Sequence, residues 1–352
     1  MATYHGTRGG RRHSTAGGRR RDGRWRHTFA ALDLGTNNCR LLVARPTRDG
    51  FHVIDSFSRV VRLGQGLTAT GVLGDDAIER TIGALKVCAG KMRRRRVTLS
   101  RSVATEACRQ AGNCHEFLTR VTEQTGIDLD IIDAAEEARL AVAGCAPLLD
   151  QGCENALVFD IGGGSTEVMW LRVCADTGPE VLAWTSLPCG VVSLAETHGG
   201  CHVPQGVYDE MVDAVADMLR PFEASNVLGE SIAEGRAQML GTSGTVTTLA
   251  AIKLGLPRYD RRRVDGTWLA AADLQRVSRT LATMSYDERS GHPCIGEGRA
   301  DLVIPGCAIF DAIFRTWPAP GVRVADRGVR DGMLFGLMAA ADTQDCSAGT
   351  GG

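Results

Sequence analysis

No run of the sequence approaches the roughly 20 consecutive apolar residues that a membrane-crossing helix needs, so neither a span nor a membrane partner is expected. The twelve cysteines fall singly, with no Cys-x-x-Cys pair and no Cys/His zinc spacing, which excludes zinc ribbons and dithiol redox motifs. His292-Pro293-Cys294 lacks a partner at ligand spacing and reads as a turn. Several cysteines sit in apolar stretches, where a free thiol acts as a small hydrophobe. With no signal-like apolar segment near the start, the expected setting is the reducing cytoplasm. Two nucleotide signatures are also missing. No Gly-Lys-Ser/Thr follows a glycine loop, which excludes a Walker A site, and no Gly-x-Gly-x-x-Gly follows a strand, which disfavours a dinucleotide fold.

What is present suits a soluble globular chain of two domains: 352 residues, 43% hydrophobic and 23% charged. A formal net charge of −1 hides an asymmetry. Residues 1–27 are Gly- and Arg-rich, with Arg8, Arg11, Arg12, Arg19, Arg20, Arg21, Arg24 and Arg26 against Asp22 alone. Having almost nothing apolar to bury, this tail is expected to be disordered. It reads as a solvated terminus or as a holder of polyanions; nucleic acid is not an expected partner, although the tail leaves it open.

The chain is organised around Ala156–Trp170. A continuous apolar run, Ala156 to Phe159, reads as a buried strand that ends on Asp160 and opens into Gly162, Gly163 and Gly164. Ser165 and Thr166 lead into a second apolar strand, making a hairpin with an open tip. Such a tip collects backbone N–H groups at one point, as phosphate oxygens require. Asp160 and Glu167 flank it as hard oxygen donors of the kind Mg²⁺ accepts. The device occurs twice. Phe29–Leu34 is an apolar strand bearing Asp33, followed by Gly35, Thr36 and Asn37 and by the strand Cys39–Ala44. The two aspartates stand 127 positions apart (160 − 33), a domain-sized separation that suggests duplication.

Between the hairpins, strand signal continues through Phe51–Ile54 and Ser58–Val61. Leu73–Arg94 reads as a helix with Ile78, Ile82, Leu85, Ala89 and Met92 on one face, ending in a basic run that complements its dipole. Val97–Val103 and Leu129–Ile132 read as strands, with Asn113 and Glu116 as a capping-box start to the helix between them. Glu136 and Glu137 then open a further helix. In the second half, strands are expected near Val158, Val168, Val181–Leu187 and Ala237–Leu240, with a last strand at Val322–Asp326. Gly241-Thr242-Ser243-Gly244 is a strand-to-helix turn offering orphan N–H groups to an anion, or simply a helix start. Arg258, Arg261, Arg262 and Arg263 form either a rim that attracts polyanions or a solvated loop. Asp326–Gly332 is expected to back a cleft and return the chain to the first half.

Taken together, Leu32–Asn38, Ala104–Ala111, Glu136–Leu140, Phe159–Glu167 and Leu240–Thr245 resemble, in order, the motifs of the exopolyphosphatase/guanosine pentaphosphate phosphohydrolase family. That family lies within the acetate and sugar kinase/Hsp70/actin superfold. The resemblance implies an α/β fold of two ribonuclease H-like (actin-like ATPase) domains facing a central cleft. Residues 28–141 would form the first, completed by a helix at 329–342, and 142–328 the second, with 343–352 a frayed end. It implies Glu137 as general base and Asp160 as Mg²⁺ ligand supported by Glu167. Asp33, Gly35, Thr36 and Asn37 would cradle phosphates opposite Gly162, Gly163, Gly164 and Ser165. Gly241, Ser243 and Gly244, which match the adenosine element, would join the phosphate-binding residues, and Arg109 would neutralise phosphate charge. Polyphosphate or guanosine pentaphosphate would be the substrate and a homodimer the assembly. The chain resembles the short form without added C-terminal helical domains, which puts processivity on long polyphosphate in question. An ATP-dependent kinase of the same superfold and a non-catalytic sensor are the alternatives.

Overall fold

The computed structural model describes residues 24–348. The expected basic tail up to Gly23, and the end beyond Ala348, lie outside the described residues. Two sheets organise the rest. The first has five strands in the order β3-β2-β1-β4-β5: β1 Phe29–Leu34, β2 Asn38–Thr47, β3 Gly50–Val60, β4 Leu99–Ala104 and β5 Asp130–Ile131. The second has six, in the order β10-β11-β9-β6-β7-β8. These are β6 Asn155–Ile161, β7 Thr166–Arg172, β8 Glu180–Leu187, β9 Ala237–Thr242, β10 Trp268–Ala270 and β11 Gly321–Ala325.

The same unit centres both sheets. β1 pairs antiparallel with β2 and parallel with β4; β6 pairs antiparallel with β7 and parallel with β9. The Ala156–Phe159 run is fully buried, as a central strand covered on both faces must be. Register makes the likeness close. Asp33 pairs with Arg40 and Asp160 with Glu167, each one step before the pair that closes its hairpin. Both partners follow their aspartate by seven positions (40 − 33 and 167 − 160), so the duplicated site carries a cation in one lobe and an anion in the other.

The helix Asp75–Arg94 buries Ile78, Ile82, Leu85 and Ala89 as its period requires. Its start is set from outside. The Asn113 side chain accepts from Leu73 N at 2.8 Å and donates to Leu73 O at 3.0 Å. Asn113 therefore makes no side-chain cap to the helix Cys114–Thr125, and the expected capping box is absent. The two pieces expected between Phe51 and Val61 are one strand, β3, whose Asp55 is gripped by Lys91 and Arg95 of the basic run.

Two helices join the lobes. Ala134–Cys145 is capped by Asp133, whose carboxylate accepts from Glu136 N at 2.7 Å. The C-terminal helix Val329–Ala348 crosses it, packs on β1 and runs beyond the expected end at 342. A shared core lies here, with Phe29 and Ala31 from the first sheet and Val158 and Leu240 from the second. Leu140 and Met333 of the two helices fill the space between.

Candidate active site

The two hairpin tips meet. A Cβ on Gly163 would lie 3.0 Å from Thr36 Cβ and 3.2 Å from Asn37 N, and one on Gly164 would lie 2.7 Å from Thr36 Oγ1. Side chains there would hold the tips apart, so the approach requires glycine. Each tip is tied from behind. Asn37 O accepts from Val61 N at 2.9 Å and Arg62 N at 3.0 Å, and Thr36 O from Gly64 N at 2.9 Å. Gly162 O and Gly163 O accept from Val191 N and Val192 N at the start of the helix Val191–His198, using that helix's orphan donors. Among the described residues, the N–H groups of Thr36, Asn37, Gly163 and Gly164 find no protein acceptor, and buried Asn37 Oδ1 has no partner either. Buried polar groups without partners are uncommon and point to a ligand or water.

Among the carboxylates that border the cleft of about 1280 Å³ lined by these tips are Asp33, Glu137, Asp160 and Glu167. Burial raises the proton affinity of Asp33 against the pull of Arg40 and Arg330. Burial also lifts Asp160 to about 6, opposed by the Ser243 hydroxyl and Arg40. Glu167 is pushed up to about 7 by burial and then by the charge of Asp160, although Ser186 donates to its Oε1 at 2.8 Å. Glu137 is raised by burial and by Glu167, against Arg109. Crowded, desolvated acids of this kind gain from a hard divalent cation among them. Among the described residues no three His/Cys/Asp/Glu side chains form a ready-made metal cluster.

Positive charge lines the same cleft. Arg40, Arg261, Arg262, Arg299, Arg327 and Arg330 all border it. Arg261 and Arg327 are engaged by Asp331 and Asp265, at 3.1 and 2.8 Å. The side chains of Arg40 and Arg330, by contrast, make no hydrogen bond or ion pair among the described residues, while Arg40 Nη2 reaches to 4.0 Å from the place of a Gly244 Cβ in the opposite lobe. Burial, and then Arg40's charge, lower the proton affinity of both Arg299 and Arg330. An anion relieves such crowding.

A sequence model of the Ppx/GppA phosphatase family matches residues 42–341. The chain belongs to that family. Its fold is similar to that of an exopolyphosphatase-like protein, at 29% identity and TM-score 0.79 over 89% of this chain and 99% of that one. It is also similar to the Aquifex aeolicus Ppx/GppA family member, at 27% identity and TM-score 0.72 over 91% and 99%. An exopolyphosphatase from Cytophaga hutchinsonii shares the fold at 22% identity and TM-score 0.79, over 89% and 98%. This is the two-domain actin-like fold expected from the sequence, and membership supports phosphohydrolase activity. The family match begins after the first hairpin tip, so the inclusion of Asp33–Arg40 in the site rests on the tip contact itself.

Two expected site residues of this Ppx/GppA chain sit otherwise than anticipated. Gly241 does not border the cleft: it lies within β9, where a Cβ would come 2.5 Å from Phe159 Cζ, so its lack of a side chain serves core packing. Thr242, Ser243 and Gly244 border the cleft, with Ser243 at a left-handed φ of 78°. Arg109 is engaged within the protein. Its Nη1 donates to Glu137 Oε2 and Ile132 O, both at 2.8 Å, and Nε and Nη2 donate to Glu106. It holds Glu137 instead. Sequence reasoning gave no individual role to Arg40, Arg299 or Arg330, the last lying in the stretch expected to back the cleft, although the seven-position offset shared by Arg40 and Glu167 was a readable signal for the first.

The raised acids make a thermal prediction. Asp160 and Glu167 hold protons in the folded state that the unfolded chain releases in the ordinary carboxylate range. Their contribution is complete below that range and is lost as pH rises through about 6 to about 7. Without divalent cations, Tm should fall between pH 5 and pH 8 more steeply for the wild type than for Asp160→Asn/Glu167→Gln, and millimolar Mg²⁺ should restore it at pH 8. Equal slopes for the two proteins would overturn the electrostatic reading.

Proposed function

We propose that this protein is a Mg²⁺-dependent phosphoanhydride hydrolase that releases the terminal phosphate of inorganic polyphosphate or guanosine pentaphosphate. The observation that carries the reading is the meeting of two tips with unpartnered N–H groups beside a carboxylate, Glu137, fixed by Arg109 at 2.8 Å. Thr36, Asn37, Gly163 and Gly164 N–H groups bind the terminal phosphoryl oxygens, and Arg40 and Arg330 balance charge along the chain. Glu137 accepts the proton of the attacking water as the new P–O bond forms and the anhydride bond breaks in line, the shortened chain leaving with the bridging oxygen. Burial, and then the charge of Glu167, raise the proton affinity of Glu137 against the pull of Arg109, which favours its accepting a proton. Asp160 and Glu167 would hold Mg²⁺, which when bound supplies charge neutralisation at the phosphoryl oxygens.

Phosphate release should be measured from polyphosphate and from guanosine pentaphosphate side by side, at fixed Mg²⁺ and with no acceptor alcohol. Release from at least one is expected. Turnover only when ATP and an acceptor are both supplied would replace this reading with a kinase. Asp160→Asn should raise the Mg²⁺ concentration for half-maximal rate roughly tenfold or more, in line with losing a charged ligand. An unchanged Mg²⁺ titration would remove Asp160 from the cation site.

A further inference from the structure

The loop that backs the first tip also reaches the opposite lobe. Arg62, at a left-handed φ of 49°, sends its guanidinium to Asp301 with two parallel bonds, Nη1 to Oδ2 at 2.8 Å and Nη2 to Oδ1 at 2.9 Å. Nη2 also donates to Gly298 O at 3.3 Å. Four residues on, Gly66 N donates to Glu196 Oε1 at 2.7 Å. Side chains other than glycine enter the left-handed region at a cost, so the loop is held in a conformation that it would not choose alone. The bidentate fork is the most directional ion pair available to a protein, and both side chains are more than half covered, at 34% and 19% exposure.

The far end of this contact is connected to the cleft. Asp301 lies two positions after Arg299, which borders the cleft with Arg40 and feels its charge. The segment is fixed from behind by Arg289, itself 1% exposed, which donates to Ala300 O at 3.0 Å, to Gly200 O at 3.1 Å and to Cys201 O at 2.7 Å. A Cβ on Gly200 would lie 1.9 Å from Asp301 O, so no slack remains between these strands of chain. A pull on Asp301 is therefore a pull on Arg299. Opposing it, Arg40, Arg299 and Arg330 crowd like charges into the cleft, which favours its opening until an anion enters.

We propose that Arg62 and Asp301 form an interlobe latch that holds the cleft closed over a bound polyanion and draws Arg299 up to its phosphates, both acting as positioning residues. The proposal rests on reading the cleft as a polyanion site. Latch and like-charge repulsion then oppose one another, leaving a closed state that substrate charge tips into dominance.

The test uses Arg62→Gly, which keeps the left-handed backbone at no cost, Asp301→Asn, and the exchange Arg62→Asp/Asp301→Arg. Small-angle scattering should give both single variants a larger radius of gyration than the wild type, with the difference closing as tripolyphosphate is added. Their KM for polyphosphate should rise roughly threefold or more with kcat within about twofold, the scale of one well-formed, part-exposed ion pair that acts on closure alone. The exchange should recover most of both effects, with Tm close to wild type throughout. Wild-type scattering in both single variants would overturn the latch, and so would an exchange variant no better than the singles, since loop packing would then carry the effect. A wild-type protein that releases no phosphate would sink the hydrolase reading while scattering still decided the latch.

Discussion

Glu137→Gln is expected to fold as the wild type does and to release phosphate at least roughly a hundredfold more slowly, the range for a removed general base. The substitution is nearly isosteric, and the glutamine carbonyl can still accept from Arg109 Nη1, which now donates to Glu137 Oε2 at 2.8 Å. Arg109 keeps two bonds to Glu106, at 2.8 and 2.5 Å, so its charge is not stranded. Losing a buried carboxylate also relieves repulsion from Glu167, offsetting the weaker bond to Arg109. Stability should therefore move little while proton acceptance disappears. Glu137→Ala should match the rate loss but lower Tm, because Nη1 is left with Ile132 O alone. Steady-state phosphate release and thermal melts on the same preparations separate the two effects. Turnover near wild type in Glu137→Gln would assign the water-activating role elsewhere.

How far the sequence could be read depended on whether a feature was local. The Asp33 and Asp160 hairpins were legible because an apolar run, an acid and a glycine turn lie consecutively, and duplication doubled the signal. The helix Asp75–Arg94 was legible from its period. Asn113 was misread because its sequence neighbours favour a cap, whereas its partner, Leu73, lies forty positions earlier. Gly241 was misread because a glycine beside Thr242-Ser243-Gly244 looks like part of the turn; only Phe159 across the strand shows what it accommodates. Arg109 reads as a phosphate ligand because a cation near acids can pair with either, and the sequence does not show that four of its five N–H groups go to Glu106, Ile132 O and Glu137. Arg40 occupies a strand position where alternation explains any polar residue. The contact of Arg62 with Asp301 spans 239 positions, which no local pattern encodes.

A large effect on stability is expected where the interlobe helices cross. A Cβ on Gly332 would lie 2.0 Å from Leu140 O and 2.9 Å from Leu140 C, and one on Gly144 would lie 2.1 Å from Gly328 O. The obstacles are main-chain atoms, Leu140 inside Ala134–Cys145, so no rotamer change can clear them. Gly332→Ala must separate the helices, at about 3 kcal/mol of stability, the upper part of the usual overpacking range. Gly336 lies one turn further along the C-terminal helix with nothing near its absent Cβ. There, replacement by alanine should instead stabilise by about 0.5–1 kcal/mol, since only helix propensity is at stake. The same substitution, four positions apart in one helix, should therefore have opposite signs. Activity should follow the first and ignore the second. Glu137 rides on the helix that Gly332 touches, and Arg330 on the other, so spreading the crossing moves both away from the hairpin tips. Denaturant midpoints and phosphate release, measured on both variants, check this. Equal stability of Gly332→Ala and the wild type would mean that the two helices can slide past one another without cost, and the close main-chain contact would lose its role in fixing the cleft.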